Sequence, residues 1–403
     1  MKWRTRAKFL LHHSAFILLP FLLASCATAA SQKISSATPL EWSVRLANSE
    51  MARQTNAPKL DYTMGLFTLS LLKLDPIAPD PRYLKFAEEK VGSLIAADGT
   101  VKGYKVEEYQ LDALNSAKTV LVLRFNTDDE KYRKAVQIFF KQLATQPRTP
   151  DGGFWHKQRY TNQMWLDGIY MGAPFYAQCA LLFNAPASFD DVAKQIHLID
   201  EHTYDAKTGL NYHGWDAAKI QPWANPQTGC SSNFWGRAEG WYAMALVDVL
   251  DYFPTNHPAR AQIIATLQKT AAGIVKWQDA KTGLWRQVLD QGDRRGNYLE
   301  ATASAMFVYA LAKSVNHGYL SRDYVPAIEK GYAGIINNLI MPAGENSWSL
   351  TQCCSVAGLG GSPSNGKYRS GSFDYYVSEP IVKNDLKGVG PFILAGIEVQ
   401  QLH

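Results

Sequence analysis

Cysteine is scarce in this chain, five residues in 403, and none stands at a spacing that suits zinc. Cys26 is isolated near the start. Cys179, Cys230, Cys353 and Cys354 follow; the adjacent last two are poorly placed to pair with each other, which leaves open one disulfide to Cys230 in an oxidising compartment. Long runs of one charge are missing as well. With residues 1–25 removed, four basic residues go and no acidic ones, so 41 − 4 = 37 Lys+Arg face 36 Asp+Glu, a net of +1 in place of +5. Without a basic run to neutralise a phosphate backbone, nucleic acid is excluded as a partner. There is no Gly-x-Ser-x-Gly, no His-Glu-x-x-His and no calcium loop. Ser355-Val-Ala-Gly-Leu-Gly-Gly361 lacks the preceding strand and the Gly-Lys-Ser/Thr ending of a phosphate cradle, and reads as a flexible active-site loop.

One apolar run stands out, from Phe9 to Ala24 behind a basic head of Lys2, Arg4, Arg6 and Lys8. It is short and ends in small residues, so it reads as a secretory signal and not a spanning helix. Its ending, Leu23-Ala24-Ser25-Cys26, resembles the lipobox of bacterial lipoproteins. That implies a diacylglycerol on Cys26, an exported protein in the periplasm or on the outer membrane, and membrane contact through this lipid alone. Ordinary cleavage after Ala27-Thr28-Ala29 is the alternative. The expected organisation is a signal over 1–25, a tether over 26–37 and one domain over 38–403.

Strand-like alternation is scarce beyond the tether, and helical apolar patterns alternate with glycine-rich turns. The spacing predicts helices over 39–55, 61–74, 81–96, 110–124, 129–145, 165–183, 188–202, 235–252, 257–277, 298–316, 322–340 and 389–401. The turn Asp205-Ala-Lys-Thr-Gly-Leu210 recurs as Asp279-Ala-Lys-Thr-Gly-Leu284, with looser versions at Asp98-Gly-Thr-Val and Asp151-Gly-Gly-Phe. Each follows an odd-numbered helix and leads, through a loop rich in Trp, His and Tyr, to an even-numbered one. Recurrence of this kind marks stacked helix pairs. Six hairpins closed on themselves give an all-α (α/α)6 barrel. The even helices, rich in small residues such as Ala238, Gly240, Ala303 and Ala305, form the inner ring, and the charged odd helices lie outside.

Residues with chemistry collect where the even helices begin: Asp61 and Tyr62, Asp112, Trp165 and Asp167, Trp235 with Arg237 and Trp241, Asn297 and Glu300. In a barrel these starts share one mouth. Capping explains an aspartate at such a position, and is the better account of Asp61, but Trp and Arg do not cap helices. Asp112 across from Asp167 suggests a carboxylate pair titrating as a coupled unit, one member of which keeps its proton. Apolar walls such as Trp165 favour the protonated form, whereas a helix N-terminus favours the anion. His156 and His213 each follow a repeat turn and so belong to one rim, with the cations Lys157 and Arg159 beside His156. Arg237, one turn into an inner helix, suits a sugar carboxylate through its bidentate fork. The eleven Trp residues suit sugar faces, though they would also fill a helical core.

These segments together resemble glycoside hydrolase family 105, the unsaturated rhamnogalacturonyl hydrolases, and more distantly the unsaturated glucuronyl hydrolases of family 88. The motifs are Trp155-His156-Lys157, Gln163-Met-Trp-Leu-Asp-Gly-Ile-Tyr-Met171, Asn211-Tyr-His-Gly-Trp-Asp216, Trp235-Gly-Arg-Ala-Glu-Gly-Trp241, Ser355 to Gly361 and Gly388-Val-Gly-Pro-Phe-Ile-Leu394. The resemblance implies an (α/α)6 barrel with no cofactor and no metal, acting on an acidic oligosaccharide. It implies Asp167 as general acid and Asp112 as partner carboxylate. Tyr62, His156, Arg237 and Trp241 would contact the unsaturated uronic acid, with Lys157, Trp165, His213 and Trp235 in the pocket. One departure is Leu60-Asp61, where the family often has an aromatic. Three other readings compete: an inverting glycosidase with two carboxylates around a water, an epimerase using paired histidines, and a carbohydrate-binding lipoprotein without turnover.

Overall fold

The computed structural model describes residues 37–361 and 368–403. The signal segment, Cys26 and the tether up to Ser36 lie outside them. Among the described residues twelve long helices appear. Six carry an apolar stripe on one face: α1 Pro39–Arg53, α3 Pro81–Lys90, α5 Glu130–Thr145, α7 Ala187–Thr203, α9 Arg260–Lys276 and α11 Val325–Leu339. Six are buried on most sides: α2 Tyr62–Leu74, α4 Leu111–Thr127, α6 Leu166–Leu182, α8 Gly236–Val249, α10 Ala301–Asn316 and α13 Leu386–Gln400. A helix apolar all round belongs inside a core, and one with a single stripe at its edge. Accordingly α2, α4, α6, α8, α10 and α13 pack in that cyclic order and close on one another, with the striped helices around them. This is the expected (α/α)6 barrel. A further short helix, α12 Phe373–Ser378, lies at the mouth.

The hairpin pairing differs from expectation. Each outer helix packs chiefly on the inner helix before it in sequence, and α1 completes the ring by packing on α13. Loop length is the reason. Only Asp128 and Asp129 separate α4 from α5, which forces antiparallel neighbours, whereas the outer-to-inner links are long. Those long links hold four unexpected antiparallel ribbons: β1 Gln163–Trp165 with β4 Gly214–Asp216, β2 Tyr204–Asp205 with β3 Leu210–Asn211, β5 Ile340–Pro342 with β6 Trp348–Leu350, and β7 Cys353–Cys354 with β8 Ile381–Val382.

The recurring turns are a structural rib. Asp98, Asp205 and Asp279 each accept a hydrogen bond from a threonine N–H two or three residues on, at 2.9, 2.8 and 2.7 Å. Gly209 and Gly283 then take φ of +80° and +77°, where a side chain is strained. Each turn docks on the next outer helix. A Cβ on Gly273 of α9 would lie 1.9 Å from the Gly209 carbonyl oxygen, and one on Gly283 would lie 2.4 Å from the Lys330 carbonyl of α11. The four described cysteines are free and buried, so the disulfide to Cys230 does not form; its thiol instead donates to the His202 carbonyl at 2.9 Å.

Glu239 is an odd passenger in this frame. It is fully buried on α8, and among the described residues its Oε2 accepts only the Asn211 N–H, at 3.1 Å, while its Oε1 has no hydrogen-bond partner. Burial raises its pKa to about 8, with the Asp200 charge adding to the effect.

Two stability predictions follow from these contacts. Gly273→Ala should lower unfolding free energy by about 1–3 kcal/mol through backbone overpacking; an unchanged denaturation midpoint would refute the docking. For Glu239, the folded state keeps a proton that the unfolded state loses above its ordinary pKa, so between about pH 4.5 and 8 stability falls as pH rises. Glu239→Gln should flatten that slope and raise the melting temperature more at pH 8 than at pH 5.

Candidate active site

All six inner helices start at one end of the barrel, and their first turns are built alike. The second residue of each, in ring order, is Thr63, Asp112, Asp167, Arg237, Thr302 and Lys387. The orphan N–H of the first helical residue is satisfied, in four consecutive helices, by a carbonyl from the loop leading to the next inner helix. Leu111 donates to His156, Leu166 to His213, Gly236 to Gln287 and Ala301 to Gln352, at 3.1, 3.0, 2.9 and 3.0 Å. At His156 and His213 the residue that supplies the carbonyl also places its side chain beside the second residue of the helix it caps.

The consequences are specific. His156 Nε2 lies 3.2 Å from Asp112 Oδ1, and His213 Nε2 lies 3.1 Å from Asp167 Oδ2. The latter contact has the distance of a hydrogen bond but not its alignment, since both atoms count as unpartnered by angle. Apo geometry of this sort is common in sites that tighten on substrate. The His213 Nδ1 is 2.7 Å from the Tyr376 hydroxyl, and ribbon β1–β4, which aligns Trp165 with Gly214, holds His213 at this level. Trp165 stacks on His156 with ring centres 4.6 Å apart, meets His213 edge-on at 5.5 Å, and is backed by Tyr160 at 4.6 Å. The aromatic wall expected at Asp167 therefore ties both histidines together.

Asp112 does not cap its helix. Gln110 occupies the cap position without a side-chain bond, and Asp112 turns inward. Burial alone would favour its protonated form, but Lys157, with Nζ 2.5 Å from Oδ2, and His156 hold the carboxyl well below the usual range. Asp112 is thus the carboxylate held as an anion, and Lys157 is its counter-ion. Lys157 is engaged by Asp112 and, at 2.9 Å, by Gln110, because a buried carboxylate needs its counter-ion more than an empty pocket does.

Arg237 is 1% exposed. Its Nη1 donates to the Cys354 carbonyl, its guanidinium carbon sits 4.7 Å from the Trp235 ring centre, and it makes no other hydrogen bond among the described residues. Trp235 is fixed by its indole N–H to Gln287 Oε1 at 3.1 Å and stacks on Tyr376. Glu300 caps α10 through Ala303 and also accepts the Cys354 N–H at 2.8 Å. Burial raises its pKa, opposed by Arg237. Tyr62 opens α2, and its backbone carbonyl accepts from Asn115 at 2.7 Å. Burial raises its phenol pKa, and the charges acting on it come from Arg237, Asp112, Asp385 and Asp167, so Tyr62 stands where these groups converge. Asp61 caps α2 by accepting the Thr63 N–H at 2.7 Å, as expected. Trp241 lies a turn below Arg237, buried and stacked on Tyr170 at 4.9 Å.

A cavity of about 210 Å³ opens at the mouth between Asp112, Lys157, Gln110, Tyr62, Asp61 and Tyr104. A larger one, about 620 Å³, lies at the opposite end of the barrel. None of the expected site residues lines it, and its Lys313 is paired with Asp248 and Asp251 at 2.7 and 2.6 Å. Sequence reasoning missed Tyr160, Gln287, Tyr376 and Lys387. Lys387 escaped because the expected helix over 389–401 starts two residues past it, whereas the observed helix starts at Leu386.

The Glycosyl Hydrolase Family 88 model matches residues 41–403. A family 105 glycoside hydrolase of C. acetobutylicum ATCC 824 superposes with a TM-score of 0.86 at 43% identity, covering 89% of this chain and 99% of that one. Protein Atu3128 of Agrobacterium fabrum is 39% identical over 57% of this chain and 97% of its own length. The unsaturated rhamnogalacturonyl hydrolase YesR of Bacillus subtilis is 28% identical over 56% of this chain and 63% of its own. With nearly its whole described length matched in this way, the chain belongs to the glycoside hydrolases of Glycosyl Hydrolase Family 88 and, among them, to family 105.

Proposed function

We propose that this glycosidase removes the 4-deoxy-4,5-unsaturated uronic acid from the non-reducing end of oligosaccharides left by polysaccharide lyases, with unsaturated galacturonyl-rhamnose from rhamnogalacturonan as its substrate. One observation carries the reading. Two carboxylates occupy the same position on neighbouring inner helices but meet unlike company: Asp112 is held as an anion by Lys157 and His156, while Asp167 has His213 and no lysine or arginine as its ion-pair neighbour among the described residues. Unlike environments for two carboxyls are how a site divides acid from base work.

Conjugation of the ring oxygen with the C4=C5 bond makes the substrate a vinyl ether. Asp167, in its acid form, delivers a proton to C4, and the electron pair of the double bond forms the new C–H bond. The cation left at C5 is shared with the ring oxygen. Water adds at C5 and gives up a proton to the Asp167 carboxylate, restoring the acid. The C5 hemiketal then opens to a ketone, and the hemiacetal freed at C1 expels the remaining sugar as an alcohol. Asp112, ionised throughout, holds the water. His213, steered by Tyr376, sets the angle of Asp167, and Trp165 keeps the cup dry. Arg237, with most of its fork unused, receives the uronate carboxylate in a charge-assisted pair. Tyr62, His156 and Trp235 complete the walls. The reading includes export and lipid anchoring through Cys26, which would put the enzyme where lyase products enter the cell envelope.

Asp167→Asn should bind substrate normally but lose turnover by at least the roughly 10²–10⁴ that acid–base assistance supplies, followed as disappearance of the conjugated double bond's ultraviolet absorbance. Near-normal activity would remove Asp167 from the role. Turnover in heavy water should place one deuterium on C4 of the product. Its absence there would favour an inverting glycosidase that protonates the glycosidic oxygen. A panel of lyase-generated disaccharides, pectic and ulvan-derived, tests the choice of sugar next to the uronate.

A further inference from the structure

Lys387 is the one cation of the second-residue ring that the foregoing mechanism leaves without a task. It opens α13 one place after Leu386, in the register at which α4, α6 and α8 present Asp112, Asp167 and Arg237. Its side chain is 7% exposed, too buried for a solvated surface lysine. Its ammonium contacts both oxygens of Asp385, at 2.8 and 2.9 Å, and lies 5.8 Å from the centre of the Tyr62 ring. Tyr62 in turn lines the mouth cavity.

We propose that Lys387 is a second cationic anchor for the carboxylate of the substrate, acting with Arg237 from the other side of Thr302. The inference rests on the function proposed above and adds to it a residue that decides acid against neutral substrate. Three observations support it. An ammonium carries three N–H donors, and Asp385, which also caps α13 through the Lys387 N–H at 2.9 Å, is the only hydrogen-bond partner of the Lys387 Nζ among the described residues. Arg237 has one hydrogen bond, to a neutral carbonyl, and the oxygens of its nearest acid, Glu300, are taken by the N–H groups of Ala303 and Cys354. Among the described residues Lys387 therefore has one ion-pair partner, Asp385, and Arg237 has no carboxylate within ion-pair distance. Burial and the Arg237 charge both push the Lys387 pKa down, while Asp385 and Asp61 oppose them. A uronate between the two would relieve their repulsion. A neutral sugar at the same place would leave it standing, which is how a site rejects the uncharged analogue.

The competing account is that Lys387 only neutralises its capping aspartate. Wild type, Lys387→Met and Lys387→Arg should be assayed on unsaturated galacturonyl-rhamnose and on its methyl ester. For the acid, Lys387→Met should raise KM about tenfold or more, the scale of one charge-assisted hydrogen bond, with kcat changed less. For the ester KM should barely move, so the acid-to-ester preference collapses, and Lys387→Arg should restore most of it. A folded Lys387→Met enzyme that keeps the wild-type preference, or loses both substrates equally, overturns the proposal. If Lys387→Met does not fold, Lys387→Gln carries the same comparison. A wild type inactive on both substrates overturns the parent reading and this one with it; an active wild type whose variants keep its preference overturns this one alone.

Discussion

An inner helix of this barrel begins with a backbone N–H that its own helix cannot satisfy, and the loop that satisfies it sets the composition of the mouth. The carbonyls of His156, His213, Gln287 and Gln352 serve Leu111, Leu166, Gly236 and Ala301. A buried N–H without an acceptor would cost about 1–3 kcal/mol, so each loop is pinned where its carbonyl must be. The side chain on the same residue has little freedom left. Hence His156 meets Asp112 and His213 meets Asp167: one backbone contact, repeated around the ring, builds two histidine–carboxylate pairs as a by-product of capping.

Electrostatics then separates two sites that the backbone made alike. Lys157, the residue after His156, reaches Asp112 as well, and the ammonium together with the imidazole contact keeps that carboxylate ionised despite its burial. The residue after His213 is Gly214, which has no side chain to offer and pairs with Trp165 in the ribbon. Asp167 thus faces an imidazole and an indole where Asp112 faces an ammonium and an imidazole. A single difference, lysine against glycine one place beyond each histidine, is enough to give the two acids different company.

Much of this was legible in the chain. The twelve helices followed from apolar periodicity, and the inner ring from its small residues, because both report which faces are buried. The Asp-Ala-Lys-Thr-Gly-Leu turns announced a repeat because their aspartate and glycine satisfy purely local demands, an N–H two or three residues on and a positive φ. What the sequence did not disclose is pairing across the mouth. Nothing near Lys157 says that Asp112 will claim it, and nothing near His213 points to Tyr376, 163 positions later. The expectation of a carboxylate pair lacked the same information: it placed two acids at one mouth without the lysine that answers one of them. The ribbons were missed because strands of two or three residues have no periodicity to read.

Capping also shows where stability has been set aside for chemistry. Three inner helices have a carboxylate at the cap position, Asp61, Glu300 and Asp385, and each accepts N–H bonds from its own first turn. In α4 and α6 the cap position is Gln110 or Trp165, neither bonds to the helix, and the aspartate stands two places further on. That displacement forgoes about 1 kcal/mol per helix. It also changes where the carboxyl points. A capping side chain curls back over its own backbone, whereas Asp112 and Asp167 on the second residue meet Lys157, His156 and His213 on the loops of the mouth. The same comparison distinguishes Lys387, which sits at the second position while Asp385 does the capping behind it. In α13 the cap and the charge are joined, since Asp385 accepts both the Lys387 N–H and its ammonium, whereas the aspartates of α4 and α6 find their partners on the loops.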